Sequence, residues 1–172
     1  LLKEFNIKFP VIINFTFTTP NDNLSRIIEP GVCVSSQRWK AIKELSNHGI
    51  FVGIMMNPVL PFITDKEEDI KELVRLAYLH GAKFIHTYMQ MTLRENQRDY
   101  YFEQLDKNFV GIKQKYIQTY KNSYNCIVPD AKKLYKVFTT ECEKYGILYK
   151  MEDIINAYKI KKKEYEQVTL FD

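Results

Sequence analysis

The stretch VIINFTFTTPNDNLSRIIEPGVCVSSQRWKAIKELSNHGIFVGIMMNPVLP, residues 11–61, decides the fold. Its first nine residues, Asn14 apart, are apolar, aromatic or β-branched and close on hydroxyls, the composition of a strand. After the turn Glu29-Pro30-Gly31 comes an amphipathic run over 36–47, with Trp39, Ile42 and Leu45 on one side and Gly49 as its stop. A second apolar strand follows over 51–56. A strand with polar residues at its carboxyl end, then a helix, then a buried strand, is how parallel α/β sheets present binding groups.

Outward from this stretch the alternation continues. Thr64 and Glu67 have the spacing of a capping box, and Ile70, Leu73, Val74, Ala77 and Tyr78 recur at helical spacing up to Gly81. A third strand is expected over 83–89. Strand and helix in alternation predict βαβ units and a parallel sheet. Three strands are too few to close a barrel and leave both sheet edges open, so the expected class is α/β, the second half of a partial (β/α) TIM-type barrel. From residue 92 helices are expected over 97–106, 112–121, 131–145 behind Pro129-Asp130, and 151–163. The chain thus divides into a barrel half (1–91), a helical region (92–163) and a flexible tail (164–172).

Composition sets the bounds. The 172 residues are 45% hydrophobic and 27% charged, enough for one domain with a real core. No apolar run approaches the roughly 20 residues that span a bilayer, and the start lacks signal-peptide regions, so no membrane partner and a cytoplasmic location are expected. The first residue is Leu1 and nothing before the first strand reads as a domain start, which predicts a piece of a longer polypeptide. Cys33, Cys126 and Cys142 are too widely spaced for a disulfide framework or a CxxC metal site. A net charge of +4 permits nucleic-acid contact without demanding it. Twelve tyrosines and eleven phenylalanines interleaved with lysines can stack on bases or pack a core.

Alternation along the first strand puts Asn14, Thr16 and Thr18 on one face and Ile13, Phe15 and Phe17 on the other. If helices cover the apolar face, the polar one looks into the barrel near its carboxyl-end mouth, although threonine is also simply a good strand former.

These residues in this order resemble the second half of the radical S-adenosylmethionine enzymes related to spore photoproduct lyase, the DNA repair photolyase-like proteins. That family shows a strand ending in Ser/Thr (here Thr16, Thr18 and Thr19), an EPG turn (Glu29, Pro30, Gly31), an Arg-led helix (Arg38) stopped by glycine (Gly49), and a strand with a G(F/V)xxxP pattern (Gly53, Pro58). The segment TLRENQRDYYFEQLD is similar to the one after the family's last barrel strand, with Leu93 and Arg94 matching. The resemblance implies a partial barrel holding S-adenosylmethionine and a four-iron four-sulfur cluster, a deoxyadenosyl radical and, in the namesake lyase, photoproduct DNA as substrate. The family holds its cluster with CxxxCxxC, and this chain has no such motif. As given it is expected to be inactive.

Under that resemblance the cofactor contacts fall on Thr16 and Thr18, with Asn14 deeper, and on Asn57, whose amide would address the adenine edge. Arg38 opens a helix, where the dipole favours acids; it would pair with Glu29 to fix the turn, reach a carboxylate, or sit on the surface. His86 and Tyr88 share one face of the third strand, where His86 would be a proton donor, a substrate contact or an interior histidine. Cys33, just after the EPG turn, is the remaining catalytic candidate. His48 and His80 precede helix-stop glycines and are expected at the surface.

The closing QVTLF, residues 167–171, resembles the QxxLF peptide by which bacterial polymerases and repair factors dock on the sliding clamp. Leu170 and Phe171 would fill apolar pockets and Gln167 a polar one, unless the tail folds on its own core. Two classes compete: a fragment of a radical enzyme acting on nucleic acid, and a non-catalytic module binding nucleic acid or the clamp. A metal-free barrel isomerase or aldolase has neither a phosphate-binding glycine loop nor paired carboxylates at strand ends to support it.

Overall fold

The computed structural model describes residues 1–159. In chain order they form α1 (Leu2–Lys8), β1 (Ile12–Thr16), α2 (Asp22–Ile28), α3 (Ser35–Asn47), β2 (Phe51–Met55), α4 (Glu67–Leu79), β3 (Phe84–His86), β4 (Gln90–Thr92), α5 (Glu95–Asn108), α6 (Ile112–Tyr120), β5 (Asn125–Ile127), α7 (Ala131–Tyr145) and α8 (Met151–Lys159). Strands β1, β2 and β3 make a parallel sheet in sequence order, with Asn14 opposite Gly53 and Gly53 opposite Phe84. Parallel neighbours need a crossover, and α3 and α4 supply the two required here.

The middle strand is the most buried. Val52, Gly53 and Ile54 are all buried, as expected for a strand with neighbours on both edges and cover on its faces. α4 brings Ile70, Leu73, Val74 and Ala77 to the core, and α7 brings Leu134, Phe138 and Cys142, each set on a helical stripe. They join Phe17, Trp39, Ile42, Val52 and Ile54 in the main core. α4 and α7 are further tied by Lys133 on Glu67 at 2.6 Å. Gly146 ends α7 at φ 65°, a left-handed stop that glycine takes without strain.

The structure departs from the expected scheme in five places. The region after 92 is mainly helical, as expected, but also holds a strand: β5 pairs antiparallel with β4, and this small sheet packs with α5 and α6 around Leu60, Ile63, Met91, Leu93, Leu105, Tyr116 and Cys126. The third strand is shorter than 83–89, because it stops at His86 and the chain turns through Met89 at φ 48° into β4. The β3 edge is not open. Ile85 N–H donates to the Leu148 carbonyl at 2.9 Å and Leu148 N–H to the Lys83 carbonyl at 3.0 Å. The Thr64–Glu67 capping box does not form, since the Thr64 hydroxyl accepts from Leu60 N–H at 2.8 Å and α4 starts only at Glu67. Finally, α1 and α2 had no counterpart in the expected scheme. α2 is capped by Asn21, whose side-chain oxygen accepts from the N–H groups of Asn23 and Leu24. No helix among the described residues is long and apolar enough to cross a membrane.

Candidate functional site

The carboxyl ends of β1 and β2 and the start of β4 enclose a cavity of about 390 Å3, lined by Thr16, Met55, Asn57, Pro58, Tyr88, Gln90, Met91 and Thr92. Its position follows from the sheet: parallel strands deliver their last side chains to one edge, and the loops beyond them wall it in. The lining mixes hydroxyl and amide groups with methionine and ring surface, the balance of a small-molecule site.

Thr16 is the last residue of β1 and is exposed. Asn14, two residues earlier, is exposed on the same strand but does not border the cavity. The alternation expected through Thr18 ends at Thr16. Phe17, Thr18 and Thr19 are buried in succession, Thr18 to 4% exposure, because the chain has left the strand and turned into the core. Thr18 therefore does not share the open face of Thr16.

Arg38 is fixed from three sides. Its guanidinium pairs with Glu29 at 2.9 Å, donates to the Thr16 carbonyl at 2.8 Å, and stands 5.9 Å over the Phe17 ring. Only 12% of the side chain is exposed. The arginine that opens α3 thus ties the EPG turn to the end of β1, which answers why a cation sits at a helix start. Around the same turn Asp22 accepts from the backbone N–H and the hydroxyl of Ser36 at 2.8 and 2.6 Å, and these bonds hold its carboxyl below the usual range.

Asn57 closes β2. Its side-chain oxygen accepts from Tyr88 N–H at 3.1 Å, which leaves the two amide protons for a ligand or solvent. Behind the cavity, Met91 sulfur accepts from the Tyr116 hydroxyl at 3.4 Å, and Tyr101 donates to Tyr116 at 3.0 Å. Burial pushes the Tyr101 phenol up to about 12 and that of Tyr116 up further, so this wall is neutral at physiological pH.

His86 and Tyr88 do come together, ring edge to ring face with centroids 4.6 Å apart. Both border a neighbouring cavity on the α7 and α8 side, and Tyr88 borders both cavities. Cys33 is exposed, while Cys126 and Cys142 are buried; burial raises both buried thiols, Cys142 to about 12. Leu93 is buried and Arg94 caps α5. His48 is exposed against Glu44, whereas His80 is half-buried and stacks on Trp39 at 5.3 Å, against expectation. Gln167, Leu170 and Phe171 lie outside the described residues.

Gln90 and Thr92 line the site without having been anticipated. They flank the buried Met91 in β4, a strand of three residues whose alternation is too short to be read from the sequence. Among the described residues no group of three or more His, Cys, Asp or Glu could hold a metal ion. The three cysteines are also dispersed, one on the surface and two in separate cores, so these residues do not fit an iron–sulfur cluster. Compared with known proteins, the chain matches no family model and no curated sequence.

Proposed function

We propose that this chain is the second half of the catalytic barrel of a cytoplasmic radical S-adenosylmethionine enzyme of the DNA repair lyase-like kind, and that the cavity at the sheet's carboxyl edge takes part of S-adenosylmethionine. The observation that carries the reading is the convergence of separate elements of the resemblance. Arg38 of the next helix holds both Glu29 of the EPG turn and the carbonyl of Thr16 at the end of the preceding strand, and Asn57, beside Pro58 in the loop after the next strand, borders the same cavity as Thr16. Thr16, Glu29, Arg38 and Asn57 all lie at the carboxyl edge of the parallel sheet, the edge at which open α/β sheets bind ligands.

In this reading Thr16, Asn57, Gln90 and Thr92 supply hydrogen bonds to the nucleoside and amino-acid parts of the cofactor, and Met55 and Met91 supply apolar surface. Bound S-adenosylmethionine would bring the adenosyl group that abstracts hydrogen. The cluster is not held by these residues, and the proposal requires it from a segment outside them. Docking on a sliding clamp through Gln167, Leu170 and Phe171 belongs to the same repair reading and rests on the sequence alone.

The test is residue-resolved. Titrating the isotope-labelled chain with S-adenosylmethionine should shift the amides of Thr16 and Asn57, and Asn57→Ala should weaken the binding. No shifts at millimolar cofactor, or shifts confined to other surfaces, would overturn the assignment of this cavity.

A further inference from the structure

The larger cavity, about 520 Å3, lies on the other side of Tyr88 between the carboxyl end of β3 and the first turns of α7 and α8. That volume falls within the roughly 300–1,000 Å3 of small-molecule sites. Its walls are mostly ring and thioether surface. Tyr135 and Phe138 meet at 5.7 Å, Phe138 and Tyr149 at 6.0 Å edge to face, and His86 and Tyr88 close the opposite side. Tyr88 and Tyr135 are 63% and 44% exposed, a large outlay of aromatic surface to solvent on one mouth.

Cations stand at the same mouth. Lys132 and Lys150 both line it, and neither has a carboxylate partner among the described residues, Lys150 standing instead 5.8 Å over the Tyr149 ring. Lys133, one position from Lys132, is by contrast held by Glu67, and Lys144 by Glu141. Rings that can sandwich a flat group, beside two uncompensated ammonium groups, match a planar heteroaromatic ring that carries a phosphate.

We infer that this cavity binds a nucleotide, its base among Tyr88, Tyr135 and Tyr149 and its phosphate toward Lys132 and Lys150. A purely apolar ligand would leave both ammonium charges without a counter-charge, and a bare phosphate would leave the rings without a partner. The same chemistry comes from two sources, a free mononucleotide or one residue of a single strand. The inference does not rest on the cofactor reading, and its test reads binding alone, so either can fail without the other.

The experiment uses the full chain, with calorimetry against thymidine and adenosine 5′-monophosphates, the corresponding nucleosides, and anisotropy against a labelled oligothymidylate. The monophosphates should bind more tightly than the nucleosides. Tyr135→Ala should weaken binding at least about fivefold, the low end of one base stack. Lys132→Ala with Lys150→Ala should abolish the preference for the phosphate and flatten the salt dependence. A strand that binds more tightly than a mononucleotide, with the same sensitivity to the variants, identifies the single strand as the source; equal affinity identifies the free nucleotide. Circular dichroism checks each variant, and the lysine pair keeps the test valid if Tyr135→Ala misfolds. No saturable binding of mononucleotide or strand at millimolar concentration, or binding indifferent to both sets of variants, overturns the inference.

Discussion

Gly53→Ala should destabilise the sheet at its centre. Gly53 lies opposite Phe84 in the β2–β3 register, and the Phe84 ring occupies the space where a side chain on residue 53 would stand. A Cβ there would sit 2.5 Å from Phe84 Cε1 and Cζ and 2.6 Å from Cδ1, well inside van der Waals contact. The ring cannot simply swing away, because Phe84 is 3% exposed and stacks on Phe51 with centroids 5.2 Å apart. Overpacking of this kind costs about 1–3 kcal/mol, while exchanging glycine for alanine in a strand returns about 0.5–1 kcal/mol of backbone entropy. The middle of those ranges leaves a net loss of about 1 kcal/mol, or a Tm lowered by about 2–4 °C for a chain of this size. Urea unfolding followed by Trp39 fluorescence measures it, since Trp39 is buried and stacked on Phe17 in the same core. Combining the change with Phe84→Leu, which shortens the ring's reach, should cost less than the sum of the two single changes by about 1 kcal/mol. A Gly53→Ala protein as stable as the parent, or strict additivity in the double variant, would refute the packing argument.

Arg38→Ala removes an ion pair, a bond to the Thr16 carbonyl and a ring contact together, and should cost about 1–2 kcal/mol after allowance for partial exposure; Glu29→Gln should cost less, because Arg38 keeps its other two partners. Both are read by urea midpoints. Asn21→Ala deletes the cap of α2 and should cost about 1 kcal/mol, with faster amide exchange at Asn23 and Leu24. Alkaline pH should unfold the protein. Tyr101 and Cys142 keep their protons to about 12 in the folded chain, whereas the unfolded chain loses them near their ordinary values of about 10 and 8.5. Between those limits the unfolded state binds fewer protons, so stability falls as pH rises, by about 1.4 kcal/mol per pH unit for each group. Tyr101→Phe should remove one such contribution above about pH 10 in a pH series of urea midpoints.

The parts of the fold that could be read from the sequence are those with long, one-sided patterns. α7 runs from Ala131 to Tyr145 as expected, because Pro129-Asp130 opens it, a stripe of Leu134, Phe138 and Cys142 sustains it, and Gly146 stops it. β1 and β2 were visible from their β-branched and apolar runs. β4 and β5, three residues each, are too short for alternation to declare itself and exist because they pair across a helical excursion. Thr64 misled because its hydroxyl had two available partners, the α4 amides and Leu60 N–H, and loop closure took it. Thr16, Asn57, His86 and Tyr88, which the sequence places at or just past strand ends, border the two cavities. Thr18 was misplaced because nothing local marks where a strand leaves the sheet. Lys132, Tyr135, Tyr149 and Lys150 border the second cavity with no local signal in the sequence, since only tertiary packing brings the starts of α7 and α8 to the end of β3.

The central claim, radical S-adenosylmethionine chemistry, is tested most directly on the product of the complete reading frame that encodes this chain. That protein would be reconstituted anaerobically with iron and sulfide, reduced, and assayed for 5′-deoxyadenosine from S-adenosylmethionine. The account predicts its formation, diminished by Thr16→Val and Asn57→Ala in a protein that keeps its fold. A well-folded product that binds no cluster and yields no 5′-deoxyadenosine would contradict it.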